Sequence, residues 1–306
     1  MKTIHFFGEC MMELKPTSDN MMAQSFAGDI YNAAVYLKRC FPKLTSSVIT
    51  AIGQDSISDK MLAHFETEQI STECVFRHPD KTIGIYLIET DDTGERSFVY
   101  WRSDSAARDT MRFIPEAKLA QFVSGDVFFF SGIPLAIMHA EHRNAFWSML
   151  ENLKARGLTI VFDPNYRAAL WQSQQFAIAE FDKALSLSDI ALPGLEDFEV
   201  LYQFSSTNDV VRHCQHLGVN EVVVKNGPAS VVTCSQGEIQ AHIIEPVKNV
   251  VDTTSAGDAF NGVFLGARLS GYSISDAVRY AAKAAGAVIQ FPGAIAPKNE
   301  FLKAIA

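Results

Sequence analysis

Lysine and arginine never gather into a run in this sequence, and it carries no basic tail. Nucleic acid is bound chiefly by neutralising phosphates, so no nucleic-acid partner is expected. The formal net charge is −9, and a chain this acidic must place its cations deliberately if it binds anions. Cysteine is sparse and odd in number (Cys10, Cys40, Cys74, Cys214, Cys234), and no CxxC occurs. These residues read as reduced thiols of a cytoplasmic protein, neither disulfides nor a zinc site. No apolar run approaches the roughly 18 residues of a membrane helix, which excludes a membrane partner of that kind. The apolar stretch within Met1–Cys10 is too short for a signal peptide, and Glu9 ends it. Repeats and low-complexity segments are absent. The histidines show no metal-ligand spacing, and HExxH, GxSxG and GxxxxGK[ST] are all missing. A phosphate-handling chain without that last loop must cradle phosphate elsewhere.

What is present is a large apolar complement: 48% of the 306 residues are hydrophobic, enough for a large core in one large or two ordinary domains. Short apolar runs alternate with helical patterns. Strands are predicted at 4–7, 47–52, 126–130, 159–162, 190–192 and 221–224. Helices are predicted near 29–40, 57–69, 137–156 and 207–217. Strands apolar throughout and separated by helices indicate an α/β fold, with a mostly parallel sheet covered on both faces. Residues 83–90 and 96–102 flank Asp91-Asp92-Thr93-Gly94-Glu95, a hairpin signal. They suggest a small antiparallel sheet outside the main one, joined by a strand at 10–14. It is either a lid that excludes water from a cleft or an ordinary edge hairpin.

The strongest local signal is Asp252-Thr253-Thr254-Ser255-Ala256-Gly257-Asp258-Ala259-Phe260. Phe260, Val263, Phe264 and Ala267 recur at helical spacing, so a helix starts near Ser255 or Ala256. The first N–H groups of a helix lack internal partners and favour anions. Ala256, Gly257 and Gly262 are small enough to let a ligand approach. A carboxylate at Asp258 would repel phosphate, unless it takes the proton of the hydroxyl that attacks it. The alternative is helix capping by Thr, Ser and Asp.

Other candidates are more ambiguous. Asp29 either caps the helix that follows Gly28 or, with Asn32, binds sugar hydroxyls. Tyr100-Trp101-Arg102 ends a lid strand, where Arg102 is either solvated or a bidentate carboxylate clamp. Asp163-Pro164-Asn165-Tyr166-Arg167 follows a strand, where ligands of parallel sheets gather, and Arg167 is a second candidate clamp. Lys225-Asn226-Gly227 either meets nucleotide phosphates or forms a plain hairpin turn.

Taken together, Gly28 to Asn32, the lid hairpin, Lys225-Asn226-Gly227 and Asp252 to Phe260 resemble the ribokinase-like (pfkB) family of sugar kinases. Order and spacing match over nearly the whole chain. Gly8-Glu9-Cys10-Met11, Gly94-Glu95-Arg96, Tyr100-Trp101-Arg102 and Asn165-Tyr166-Arg167 look like the members that act on a 2-keto-3-deoxy sugar acid. The resemblance implies one kinase domain over 1–306, with a lid from about 10–27 and 76–105. It implies ATP-dependent phosphorylation of the 6-hydroxyl of 2-keto-3-deoxygluconate. Asp258 would be the base, and the N–H groups of Ser255, Ala256, Gly257 and Asp258 the anion hole. Gly28, Tyr86, Tyr100, Arg102 and Arg167 fall at the family's substrate positions, and Lys225 and Gly227 in its nucleotide-side loop. Mg2+ would ride mainly on ATP oxygens and waters. A monovalent cation would sit by the loops of Asp252 and Gly293. Two departures stand out. Ser255 replaces a common Gly, and an Asn-x-x-Glu motif becomes Gly194-Leu195-Glu196-Asp197, leaving Asp197 or Glu196 as a candidate metal residue. An exposed aromatic lid implies a homo-oligomer. A kinase for a neutral sugar or nucleoside, and a non-catalytic sugar sensor, remain the alternatives.

Overall fold

The computed structural model describes residues 2–18, 20–90, 96–114 and 125–306. Among them are thirteen strands: β1 (Thr3–Phe7), β2 (Met11–Ser18), β3 (Met21–Ala27), β4 (Thr45–Ile52), β5 (Val75–Arg77), β6 (Ile85–Thr90), β7 (Arg96–Trp101), β8 (Val127–Ser131), β9 (Thr159–Asp163), β10 (Ile190–Ala191), β11 (Glu221–Asn226), β12 (Ser230–Ser235) and β13 (Glu238–Ile243). The α-helices are α1 (Asp29–Cys40), α2 (Ser56–Thr67), α3 (Gly132–Ile137), α4 (Ala140–Ala155), α5 (Gln174–Leu187), α6 (Leu195–Tyr202), α7 (Thr207–His216), α8 (Ala256–Leu269), α9 (Ile274–Val288) and α10 (Lys298–Ile305).

Nine strands form the main sheet in the order β13-β12-β11-β10-β9-β8-β1-β4-β5. From β11 to β5 every pairing is parallel. The side chains explain why. Successive residues of a strand point to opposite faces. Ile4, Phe6, Phe129 and Val161 pack into one core with α1, α8 and α9. Phe7, Phe128, Phe130, Ile160 and Phe162 pack into a second core with α4 and α5. Strands apolar on both faces are stable only when both faces are covered. Parallel order then brings the carboxyl ends of β8, β9 and β11 to one edge, at Ser131, Asp163 and Lys225.

Three features differ from the sequence-based expectation. β12 and β13 add an antiparallel hairpin to the sheet edge. β13 is largely solvent-exposed, so it lacks the apolar run that marks the other strands. The predicted helix over 137–156 is α4, and a short helix that was not expected, α3, ends just before it at Ile137. The small second sheet, ordered β3-β2-β6-β7, is mixed and not antiparallel, because β2 and β6 run parallel. These two strands belong to different excursions from the main sheet, with β4 and β5 between them, so they need not alternate in direction. The expected strand at 10–14 extends to Ser18 and pairs with a second strand, β3. The turn Asp91–Glu95, and with it Gly94-Glu95, lies outside the described residues. One face of the small sheet packs Met11, Ala27, Tyr86 and Ile88 against Ala294. Its outer residues Met21, Met22, Tyr100 and Trp101 are exposed.

Candidate active site

The site is built where α1 and α8 meet. A Cβ on Gly262 would lie 2.0 Å from the Ala33 carbonyl oxygen, so only glycine permits this crossing. Gly262 therefore serves helix packing and not ligand access. The contact brings the first turns of both helices together, and Asn32 Nδ2 donates to Asp258 Oδ2 at 2.8 Å. Gly28, one residue before α1, is equally constrained: a Cβ there would lie 2.3 Å from the Glu9 carbonyl. Its N–H donates to Asn32 Oδ1 at 3.3 Å, which leaves the amide oriented toward Asp258.

Ser255 precedes α8 but does not cap it with its side chain. Its hydroxyl instead donates to the Ala294 carbonyl at 2.5 Å, pinning the helix start to the 290–296 loop. Asp252 strengthens the same junction by accepting from the Gly293 N–H at 2.6 Å and from the Thr254 N–H at 3.1 Å. The Ala256 N–H is turned to the Thr253 carbonyl at 3.2 Å. In the expected anion hole, that group is therefore already engaged. The N–H groups of Gly257 and Asp258 lie in the open first turn, where the helix dipole favours an anion.

Charge is concentrated here. Burial, and then the Asp29 carboxylate, push the Asp258 carboxyl up to about 8, against a downward pull from the Asn32 hydrogen bond. Asp29 is itself raised, mainly by burial. It does not end as a simple cap: its Oδ2 accepts from the Ser131 hydroxyl and from Asn165 Nδ2, the latter at 3.0 Å. Asn165 holds a left-handed φ of 37°, which Asn tolerates better than most residues. Lys225, at the end of β11, lies beside these acids. Its Nζ is 3.0 Å from Asn261 Oδ1 and 3.4 Å from Asp163 Oδ1. Gly227 sits in the following turn at a left-handed φ of 51°, and a Cβ there would meet none of the described residues within 4 Å.

The second group of candidates gathers under the small sheet. Arg102 is buried and pairs with Glu9 Oε2 at 2.5 Å, so it is not a solvated edge residue. Its guanidinium lies over the Tyr100 ring, 5.8 Å from the centroid. Tyr86 packs on Tyr100 and donates its hydroxyl to Glu13, whose other oxygen accepts from Ser25 at 2.9 Å. Glu9 therefore already supplies the carboxylate that Arg102 was expected to take from a ligand. Its second oxygen, Oε1, has no hydrogen-bond partner among the described residues.

Arg167 is exposed and borders a cavity of about 390 Å³ with Tyr166, Ala168, Glu196, Asp197 and Val200. Asp197, in the first turn of α6, accepts from the Tyr166 N–H at 3.1 Å. Burial and then Asp163 push its carboxyl up to about 7, while Arg167 and Lys225 oppose the rise. Glu196, the other candidate metal residue, is exposed. No cluster of three or more metal-binding side chains occurs among the described residues. A Mg2+ ion here would have Asp197 as its protein carboxylate and take its remaining oxygens from phosphate and water, a coordination that suits its reluctance to dehydrate.

Sequence reasoning missed Asn261, Glu13 and Ser131, and it met Glu9 only within the Gly8–Met11 motif, without its pairing to Arg102. Asn261 did leave a signal, as a lone amide within the apolar run Ala259–Ala267. The pairings of Glu9 and Glu13 left none, because their partners lie far away in the chain.

The main sheet and its small companion make this a ribokinase-like α/β protein. The 2-dehydro-3-deoxygluconokinase of Thermotoga maritima superposes with a TM-score of 0.84 over 100% of this chain and 99% of its own, at 21% identity. An Escherichia coli ribokinase II candidate in complex with ATP and Mg2+ also gives 0.84, at 20% identity and the same coverage. The family model for pfkB family carbohydrate kinases matches residues 1–301, and the chain belongs to that family. Among its relatives, the 2-dehydro-3-deoxygluconokinase of Dickeya dadantii is 38% identical over 306 residues, 97% of each chain. That of Escherichia coli K12 is 36% identical over 304 residues, covering 97% of this chain and 98% of its own.

Proposed function

We propose that this chain transfers the γ-phosphoryl group of ATP to the 6-hydroxyl of 2-keto-3-deoxygluconate, giving 2-keto-3-deoxy-6-phosphogluconate and ADP. The observation that carries the chemistry is Asp258, a carboxylate of raised proton affinity beside open N–H groups at the start of α8. The substrate assignment draws on the two relatives that share the name 2-dehydro-3-deoxygluconokinase. Asp258 takes the proton of the hydroxyl as its oxygen bonds to phosphorus and the bond to ADP breaks. The Gly257 and Asp258 N–H groups, with Lys225, stabilise charge on the phosphoryl oxygens. Asn32 orients the base, and Asp29 with Gly28 addresses the sugar. Tyr86, Tyr100, Arg102 and Arg167 line the sugar-acid side, and Gly227 belongs to the nucleotide side. Asp197 would hold Mg2+, which would supply charge to offset that of the phosphates.

The chain is one kinase domain with the small sheet as its lid. It acts in the cytoplasm, in keeping with an odd number of scattered cysteines and no CxxC in the sequence. It self-associates through exposed lid residues such as Met21 and Trp101, which a sizing column tests. A monovalent cation binds near Asp252 and Gly293, which activity in potassium against sodium salts tests.

The deciding experiment is ADP release with Mg2+–ATP, comparing 2-keto-3-deoxygluconate with fructose, ribose and adenosine. Preference for the sugar acid is expected. One observation favours a neutral substrate instead, namely that Glu9 already neutralises Arg102. Preference for fructose or ribose would discard the sugar-acid assignment and keep the Asp258 chemistry.

A further inference from the structure

Lys225 is not a loose side chain at a strand end. Its ammonium, Asn261 and Asp163 form a closed ring: Lys225 Nζ donates to Asn261 Oδ1 at 3.0 Å, and Asn261 Nδ2 donates to Asp163 Oδ2 at 2.7 Å. Asp163 Oδ1 completes it, 3.4 Å from Nζ. Asn261 is fully buried and Asp163 nearly so. A Cβ on Gly257 would lie 3.8 Å from Nζ, so the ammonium rests against the first turn of α8. Asn261 follows Asp258 by less than one turn of that helix. One rigid element therefore carries both the base and the group that orients the cation.

A lysine side chain is rich in rotamers, and its ammonium is a compact charge that reaches many positions. The ring removes that freedom before a ligand arrives. Its two acceptors use two of the three ammonium donors, leaving one for a further acceptor. A preorganised charge acts where charge develops during reaction, and costs no reorganisation at that moment.

We propose that Asn261 and Asp163 are positioning residues that fix the Lys225 ammonium beside the start of α8, so that Lys225 acts on the phosphoryl group in transfer and not only on the bound nucleotide. This rests on the kinase reading above. The oxygen–phosphorus bond to the sugar forms, that to ADP breaks, and the hydroxyl proton passes to Asp258. Lys225 keeps its own protons throughout.

The test is steady-state kinetics with Mg2+–ATP and 2-keto-3-deoxygluconate on wild type, Lys225→Met, Asn261→Leu and the double variant. Each single variant should lower kcat by about 10–100-fold, with KM for the sugar acid within about threefold. The double variant should be no slower than Lys225→Met, because Asn261 acts through the lysine. A purely structural Asn261 would instead multiply its loss onto that of Lys225→Met, and that result overturns the inference. So does an Asn261→Leu kcat within about twofold of wild type. Asn261→Ser, too short to bridge the ring, replaces leucine if that variant does not fold. A wild type that phosphorylates none of the tested substrates overturns the kinase reading itself, which separates the two failures.

Discussion

Replacing Asp258 by Asn should make the ligand-free protein more stable while disabling it. Burial and the Asp29 charge raise the Asp258 carboxyl from 3.8 to about 8. Between those values the unfolded chain releases a proton that the folded chain keeps. Raising the pH through this interval therefore destabilises the fold, with the full penalty above pH 8 and none below 3.8. At 1.36 kcal/mol per pKa unit the ceiling is about 6 kcal/mol. Water reaching the half-buried carboxyl lowers the recoverable part to ~1–3 kcal/mol. Asn retains an oxygen for the 2.8 Å bond from Asn32, so the packing survives. For a chain of this size that is a rise in Tm of about 2–6 °C at pH 8.5, shrinking to about a third of that at pH 5. Thermal melts at both pH values measure it. Turnover should fall by about 10²–10⁴, the range of a lost general base. A Tm that is unchanged or lower at pH 8.5 refutes the electrostatic account, and a kcat within tenfold of wild type refutes the role of base.

In wild type, kcat/KM should rise about tenfold per pH unit on the acid side and level off near pH 8, because the base must be ionised to act; a flat profile from pH 6 to 8 removes Asp258 from that role. Arg167→Ala should raise KM for the sugar acid about tenfold or more, with the Tm unchanged, since its side chain is exposed. Arg102→Ala should instead cost about 3–5 kcal/mol of stability by leaving Glu9 buried and unpaired, and equal melts for the two variants would contradict the ion pair. Gly262→Ala should overpack the α1–α8 contact, costing about 1–3 kcal/mol and most of the activity as Asn32 moves off Asp258; a fully active variant would show that the crossing tolerates a side chain.

Much of the fold was legible in the sequence. β1, β4, β8 and β9 announce themselves because a strand buried on both faces must be apolar throughout. α1 and the start of α8 are local for the same kind of reason: Gly28, the spacing of Phe260, Val263 and Phe264, and the small residues around Gly257 act over one or two turns. β13 was not legible, because an exposed edge strand needs no apolar pattern. Nor was the parallel pairing of β2 with β6, which depends on how distant excursions meet.

At the site, residue types and spacing were sufficient to nominate Asp258, Asn32, Lys225 and the two arginines. Only the tertiary structure decided what each one touches. It turned the Ala256 N–H inward, assigned Gly262 to a helix crossing, gave Arg102 to Glu9, and closed Lys225 into a ring with Asp163 and Asn261. The reason is one of range. Helix starts and strand patterns arise from neighbours along the chain, whereas the charge state of a buried acid is set by groups from other strands and helices that chain folding alone brings within a few ångströms.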